Sequence, residues 1–93
     1  MDTDHLDEFM KGLGRLVLRR RKELGLSQTD LASKAGLHRT YISDVENGKR
    51  NFSLGTLYSL SSTLKISMTQ LITQAQESVC DTSSVGTAFA DQD

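Results

Sequence analysis

Six polar side chains lie close together between positions 38 and 44, and the chemistry that they offer is hydrogen bonding. The six are His38, Arg39, Thr40, Tyr41, Ser43 and Asp44. The apolar residues Ile42 and Val45 stand three positions apart, so that on a helix they would turn inward and leave the polar side chains outside. Such an outward face offers donors and acceptors of the kind that can meet base-pair edges in a DNA major groove.

A second amphipathic segment precedes this face and would position it. Leu31 and Ala35 form its apolar stripe, and Ala32 has the small side chain needed where two helix backbones cross closely. Gly36 stands where this helix must end, a position that commonly takes the left-handed conformation favoured by glycine. The segment from Gln28 to Val45 is therefore predicted to be a helix-turn-helix.

Further helices are predicted on both sides of this unit. The first would begin near Phe9 or Leu13 and end at Leu24, with its start obscured by two glycines that each cost about 1 kcal/mol inside a helix. The second would start from Ser27, whose capping box is completed by Asp30. The sequence predicts a third helix at His38–Glu46, a fourth after Ser53, and a fifth from Ser67 with Gln70 completing a second capping box.

These elements define the predicted fold as an all-α, five-helix domain that occupies residues 9–77. An acidic segment would precede it at residues 1–8, and a polar tail without helical periodicity, predicted to be flexible, would follow at residues 78–93. Outside the stripes already named, the residues assigned to the core are Leu26, Leu37, Phe52 and Leu57.

Composition restricts the class of protein. No apolar run approaches the roughly 18 residues that span a bilayer, and the acidic start of the chain lacks the basic residues of a secretory signal. Cys80 is the only cysteine, which excludes an internal disulfide and a thiolate metal cluster. A cytoplasmic protein without membrane contact is therefore expected.

Charge is segregated along the chain, although the formal net charge is only −1. Ten of the eleven Lys and Arg residues lie between positions 9 and 50, where only four acidic residues oppose them. Local charge sets the field at a binding face, because salt screens distant charges within about 10 Å at 0.1 M. We therefore expect some of the cations in the run from Arg19 to Lys22 to face DNA phosphates, the alternative being a solvated helix face.

Enzyme chemistry finds little support in the sequence. His5 and His38 are far apart in sequence, so the two histidines do not form a metal-ligand pair on one helix. The chain contains neither a phosphate-binding P-loop nor a nucleophile elbow. The sequence therefore predicts no enzyme activity, no metal and no cofactor.

Residues Leu13 to Leu71 resemble the lambda-repressor-like domain of Cro/CI-type (XRE) transcription regulators. The matching segments are LGRLVLRRRKELGLSQTDLASKAGL, YISDVENGKRNFSL and LSSTLKISMTQL, in which order, spacing and caps agree with that family. RTYIS at Arg39 to Ser43, followed by Arg50 and Asn51, is similar to controller proteins of restriction-modification systems. The resemblance implies a sequence-specific regulator that binds double-stranded DNA.

The resemblance also implies roles for individual residues. Gln28 would anchor the start of its helix to a phosphate, Arg39, Thr40 and Asp44 would meet base edges, and Tyr41 would contact a phosphate or respond to duplex shape. The loop after the third helix would follow the DNA backbone through Lys49, Arg50 and Asn51.

Two residues depart from what such a reading helix would favour. His38 replaces the Ser or Thr that often caps the helix, so that a weaker cap is expected. Asp44 brings a negative charge to the groove, where it would meet a cytosine amino group, pair with Arg39 or remain solvated.

Arg21 and Glu46 match positions that form a partly buried ion pair in phage repressors of this family. The pair would tie the first helix to the recognition helix. The alternative is two separate exposed charges.

The resemblance further implies a homodimer on an inverted-repeat operator, paired through the last two helices. The apolar residues in excess of what one domain can bury are expected to form this interface, the alternative being that they only close the core of the monomer: Leu64, Ile66, Met68, Leu71 and Ile72. Occupancy of the operator would repress by masking a promoter, or activate by presenting a surface to RNA polymerase. An antitoxin, a phage or plasmid repressor and a helical protein-interaction module remain alternatives.

Overall fold

The computed structural model of the protein describes residues 3–49 and 52–79, and regular structure in these ranges is entirely helical. Five helices follow one another: α1 at Thr3–Glu23, α2 at Gln28–Ala35, α3 at Arg39–Glu46, α4 at Leu54–Leu64 and α5 at Met68–Val79. The predicted all-α, five-helix fold is confirmed. The flexible tail predicted from residue 78, Cys80, and the loop residues Arg50 and Asn51 fall wholly or mostly outside the described residues.

The first helix begins earlier than its sequence suggested. α1 starts at Thr3, so the predicted start near Phe9 or Leu13 is wrong. Gly14 explains part of the difference, because a Cβ at this position would overlap the carbonyl oxygen of Val45 and lie 3.0 Å from that of Glu46. The missing side chain of Gly14, which lowers its helix propensity, is therefore what allows α1 to pack directly against the end of α3.

The boundaries of α2 follow the predicted caps. The Ser27 hydroxyl accepts a hydrogen bond from the Asp30 amide at 2.9 Å, while the Asp30 carboxylate accepts one from the Ser27 amide at 3.0 Å. The bond from the Ser27 amide, followed by the Ser27 hydroxyl, holds the pKa of the Asp30 carboxyl below its ordinary value. Gly36 ends the helix in the left-handed conformation, with φ of 74°. The weaker cap expected for α3 is also found, since His38 makes no side-chain capping bond.

Two clusters of buried apolar residues form the core. The first joins α1 to α4 through Val17, Leu31, Ala32, Ile42, Val45, Leu60 and Leu64. The second joins α1, α4 and α5 through Leu13, Leu57, Leu71 and Ala75. Leu37 and Phe52, which the sequence assigned to the core, are half-buried against these clusters.

The surplus apolar surface predicted for the last two helices is smaller than expected. Leu64 and Leu71 are completely buried within one chain, and for these two the assignment to a dimer surface is wrong. The reason is that α1 lies along α5 and packs against α4 as well, which covers both leucines. Ile66 and Met68 are half-buried, and only Ile72 is substantially exposed, at 37%.

The end of α4 depends on an arginine from α1. Lys65 follows the helix in the left-handed conformation, with φ of 58°, which a residue with a Cβ rarely adopts. Arg20 donates to the carbonyl oxygen of Leu64 from Nε at 2.8 Å and to that of Lys65 from Nη2 at 3.2 Å. The guanidinium thereby satisfies two carbonyl groups that the helix itself leaves without a partner.

Lys65→Gly is expected to raise the free energy of unfolding by about 0.5–1 kcal/mol. Glycine relieves the left-handed strain of roughly 1–2 kcal/mol, and the greater entropy of the unfolded chain offsets part of the gain. Urea unfolding of the two proteins measures the difference. Lys65→Ala is the matched control, because it removes the same charge without relieving the strain. Equal midpoints for the glycine and alanine variants would contradict this explanation.

Candidate nucleic-acid interface

The start of α3 presents the exposed part of the helix-turn-helix. His38, Arg39 and Thr40 are exposed, whereas Ile42 and Val45 on the opposite side are completely buried. The difference follows from the helical period, which turns positions 42 and 45 onto α1 and α2. The polar donors and acceptors at the start of α3 are thus held on a rigid element with one face open to a ligand.

The remaining polar residues of α3 are less open than expected. Ser43 and Asp44 are half-buried, and Tyr41 packs against the core cluster, so that its ring does not project fully outward as predicted. Arg39, which was considered as a partner for Asp44, bonds to a residue of α2.

Arg39 is held by the first residue of α2. Its Nη1 donates to the Oε1 atom of Gln28 at 3.0 Å. The two residues stand eleven positions apart in sequence, and the turn at Gly36 brings the starts of their helices together. The proposed base-reading arginine and the proposed phosphate anchor are therefore joined by a hydrogen bond within the protein.

Beneath this unit lies the ion pair between Arg21 and Glu46. Arg21 donates from Nε to Oε2 at 2.6 Å and from Nη2 to Oε1 at 3.1 Å, and its Nη1 donates to the carbonyl oxygen of Leu26 at 2.9 Å. The side chains are only 10% and 5% exposed, respectively. The interaction is thus bidentate and nearly removed from water, which distinguishes it from the exposed ion pairs that contribute little to stability.

Gln28 connects the ion pair to the exposed arginine. Its Nε2 donates to the Oε1 atom of Glu46 at 2.9 Å. Four side chains from three helices consequently form one network that runs from Arg21 through Glu46 and Gln28 to Arg39. The sequence indicated Arg21 with Glu46 and gave Gln28 a separate role. The hydrogen bond between Gln28 and Glu46 depends on the angle at which the turn sets α2 against α3. This angle cannot be predicted from the spacing of residues in the sequence.

The basic run at the end of α1 serves more than one purpose. Arg21 is buried in the ion pair and Arg20 caps α4, so neither is oriented toward a ligand. Arg19 and Lys22 line an open groove of about 830 Å³ between α1 and α5, together with Arg15, Gln74 and Glu77. Lys49 is exposed at the end of α3, where it remains a candidate for phosphate contact, whereas Arg50 and Asn51 lie outside the described residues.

Two negative findings concern residues 3–49 and 52–79 only. No helix in these ranges has both the length and the apolar character needed to cross a bilayer. In the same ranges, His, Cys, Asp and Glu side chains do not gather in groups of three that could hold a metal ion.

Comparison with known proteins identifies similar sequences. Residues 17–71 match the HTH_3 family, described as helix-turn-helix. The chain is 34% identical over 70 residues to the HTH-type transcriptional regulator y4dJ of Sinorhizobium fredii strain NGR234, itself uncharacterized; the match covers 75% of this chain and 91% of that protein.

Solved structures of similar proteins have the same arrangement of helices. The restriction-modification controller protein C.AhdI from Aeromonas hydrophila is 37% identical, with a TM-score of 0.65 over 67% of this chain and 94% of C.AhdI. The controller protein C.Esp1396I, solved as a tetramer in complex with its natural 35 base-pair operator, is 28% identical, with a TM-score of 0.67 over 76% of this chain and 93% of that one.

Proposed function

This chain belongs to the HTH_3 helix-turn-helix family of transcription regulators, and we propose that it binds an inverted-repeat operator as a homodimer. The family is one of DNA-binding regulators rather than enzymes. The observation that carries the proposal is the exposed start of α3, where Arg39 is held in place by Gln28. A relative with this fold has been solved on its operator, which supports the same use of the surface here.

Arg39 is proposed to read a guanine. A guanidinium can donate two parallel hydrogen bonds to O6 and N7 of guanine, the commonest specific contact in a major groove. Thr40 would bond a neighbouring base or contact a thymine methyl group. Among the half-buried residues, Tyr41, Ser43 and Asp44 would contribute at the edge of the contact, with His38 at the exposed end of the helix.

Gln28 is proposed to bind a phosphate with the amide hydrogen that it does not share with Glu46. A side-chain amide carries two donor hydrogens on Nε2, and one of them is used inside the protein. Gln28 is also the first residue of α2, whose N-terminus adds partial positive charge toward an anion. Lys49, Arg50 and Asn51 would follow the backbone beyond the end of α3.

A dimer is proposed because one recognition helix reads too few base pairs to select one site in a genome. The burial of Leu64 and Leu71 leaves Ile66, Met68 and Ile72 as the apolar contribution of α5 and the turn before it. Two-fold pairing through this end would set the two recognition helices about 34 Å apart, one turn of DNA.

We propose a cytoplasmic regulator in a restriction-modification system, where occupancy of the operator masks a promoter or presents a surface to RNA polymerase. Sequence identity with C.AhdI supports this context. The neighbouring genes test it: a methyltransferase and an endonuclease are expected, and a toxin gene or prophage genes would contradict it.

Gel retardation at physiological salt tests the proposed DNA binding. The full chain is expected to retard its own promoter region in the presence of excess random DNA. Loss of the retarded band with random competitor as readily as with unlabelled promoter would contradict sequence-specific binding, and would favour a helical module that docks a partner protein.

Arg39→Ala is expected to cost about 1–3 kcal/mol on the cognate site and to loosen the preference at one base pair. Lys49→Ala is the matched control, because a phosphate is the same in every sequence. It should weaken cognate and random DNA alike and flatten the salt slope by about one unit. Binding titrations on both DNAs measure the two effects. Equal losses on cognate and random DNA for Arg39→Ala would contradict its role as a reader.

A further inference from the structure

We propose that Glu46 is a positioning residue for base recognition, acting through Gln28 to fix the orientation of Arg39. The inference rests on the proposed function, since it explains how the reading arginine is prepared for DNA. It concerns a residue that is nearly inaccessible to a ligand, because the Glu46 side chain is only 5% exposed.

The hydrogen bonds between Arg21 and Glu46 have a fixed direction. Arg21 can only donate, and it donates to both oxygens of the carboxylate. The Glu46 carboxylate is therefore an acceptor at Oε1 and at Oε2. Any third group that bonds to it must present a donor.

The Gln28 amide is bonded at both ends, which selects one orientation. Its two ends differ, since Nε2 donates and Oε1 accepts. The acceptor on Glu46 requires Nε2 on that side, and the bond of 2.9 Å is formed in this sense. The carbonyl oxygen must then face the opposite way, where it accepts from Arg39 at 3.0 Å. Rotating the amide by half a turn would place oxygen against oxygen and nitrogen against nitrogen.

The oriented Gln28 amide restricts the side chain of Arg39. A long exposed arginine loses side-chain entropy when it is ordered on a ligand, at a cost of about 0.5–1.5 kcal/mol. The bond from Nη1 to Gln28 restricts the side chain beforehand. Nε and Nη2 form the other edge of the guanidinium, and the bond to Gln28 does not use them. That edge has the two parallel donors that guanine requires.

The network therefore links selectivity to the ion pair between α1 and α3. Replacing Glu46 by glutamine would let position 46 present either a donor or an acceptor. The Gln28 amide could then adopt both orientations, and Arg39 would lose its fixed acceptor. The consequence is a loss of discrimination at one base pair rather than a loss of affinity for all DNA.

The experiment uses the full chain and two duplexes, measured by fluorescence anisotropy well below the unfolding temperature. One duplex carries the operator selected from random DNA. The other differs at the single base pair where Arg39→Ala loses its preference. The ratio of the two Kd values reports discrimination, and a partly unfolded variant leaves this ratio unchanged because both Kd values rise together.

We expect Glu46→Gln to reduce the ratio about three- to ten-fold, part of the roughly 5- to 150-fold that a bidentate contact contributes. Gln28→Met should reduce it to a similar extent, and the double variant should lose no more than the larger single effect. Glu77→Gln on α5 is the matched control, with the same change of charge outside the network, and should keep the wild-type ratio.

An unchanged ratio for Glu46→Gln, or effects of the two variants that add, would overturn the inference. Should Glu46→Gln fail to fold, Gln28→Met decides alone, since it breaks the link but leaves the ion pair intact, and full discrimination by this variant would overturn the proposal. Failure of the proposed function gives a different result from failure of this inference alone, because the wild-type protein would then bind operator and scrambled DNA equally. That result would overturn the inference as well.

Discussion

Arg21→Met is expected to lower the free energy of unfolding by about 3–5 kcal/mol, the cost of breaking a buried ion pair by removing one partner. The substitution leaves the Glu46 carboxylate without its bidentate donor in a position that water hardly reaches. It also removes the donor that Nη1 provides to the carbonyl oxygen of Leu26. Urea unfolding followed by circular dichroism measures the loss.

The control for this variant is Arg19→Met. It makes the same chemical change on the same helix at an exposed arginine and should shift stability by no more than about 0.5 kcal/mol. The double variant Arg21→Met with Glu46→Leu should recover part of the loss, because no unpaired charge remains. A double variant whose loss equals the sum of the two single losses would mean that the ion pair does not stabilise the fold.

Gly14→Ala is the second substitution with a large expected effect, about 3 kcal/mol of lost stability. The added methyl group would overlap the carbonyl oxygen of Val45, which is backbone and cannot rotate away. α1 and α3 would have to separate, which also strains the bonds between Arg21 and Glu46. The gain of up to about 1 kcal/mol in helix propensity does not offset this overlap.

Gly55→Ala provides a control of opposite sign. Gly55 lies in the first turn of α4, and a Cβ there would come no closer than 4.0 Å to the Ser53 hydroxyl oxygen. Its alanine variant should therefore be as stable as the wild type or slightly more so. Thermal unfolding of both variants compares them directly. A Gly14→Ala protein that melts at or above the wild-type temperature would contradict the close approach of α1 to α3.

The features that can be predicted from the sequence are those defined by a few neighbouring residues. Ser27 with Asp30, Ser67 with Gln70, and Gly36 are each defined by a few neighbouring residues, and the helices begin and end there as predicted. The apolar stripe of α3 was equally local, and Ile42 and Val45 are buried as expected.

Errors arose where distant parts of the chain compete. Two glycines lower the intrinsic helix propensity of α1, and the sequence therefore predicts too late a start. Packing against three other helices stabilises the helix in the folded protein. α1 also packs against α4 and α5, where Leu64 and Leu71 are completely buried, and a count of apolar residues could not separate these two from Ile72. The link from Glu46 through Gln28 to Arg39 also needed the three-dimensional arrangement, since it joins residues from two helices across a turn.

Selection of bound sequences from a pool of random DNA by the full chain tests the central claim most directly. We expect enrichment of one inverted repeat whose half-sites lie about 34 Å apart, centre to centre, with a guanine in each half-site at the position that loses its preference in Arg39→Ala. Recovery of unenriched DNA, or of a single half-site bound as tightly as the full repeat, would contradict it.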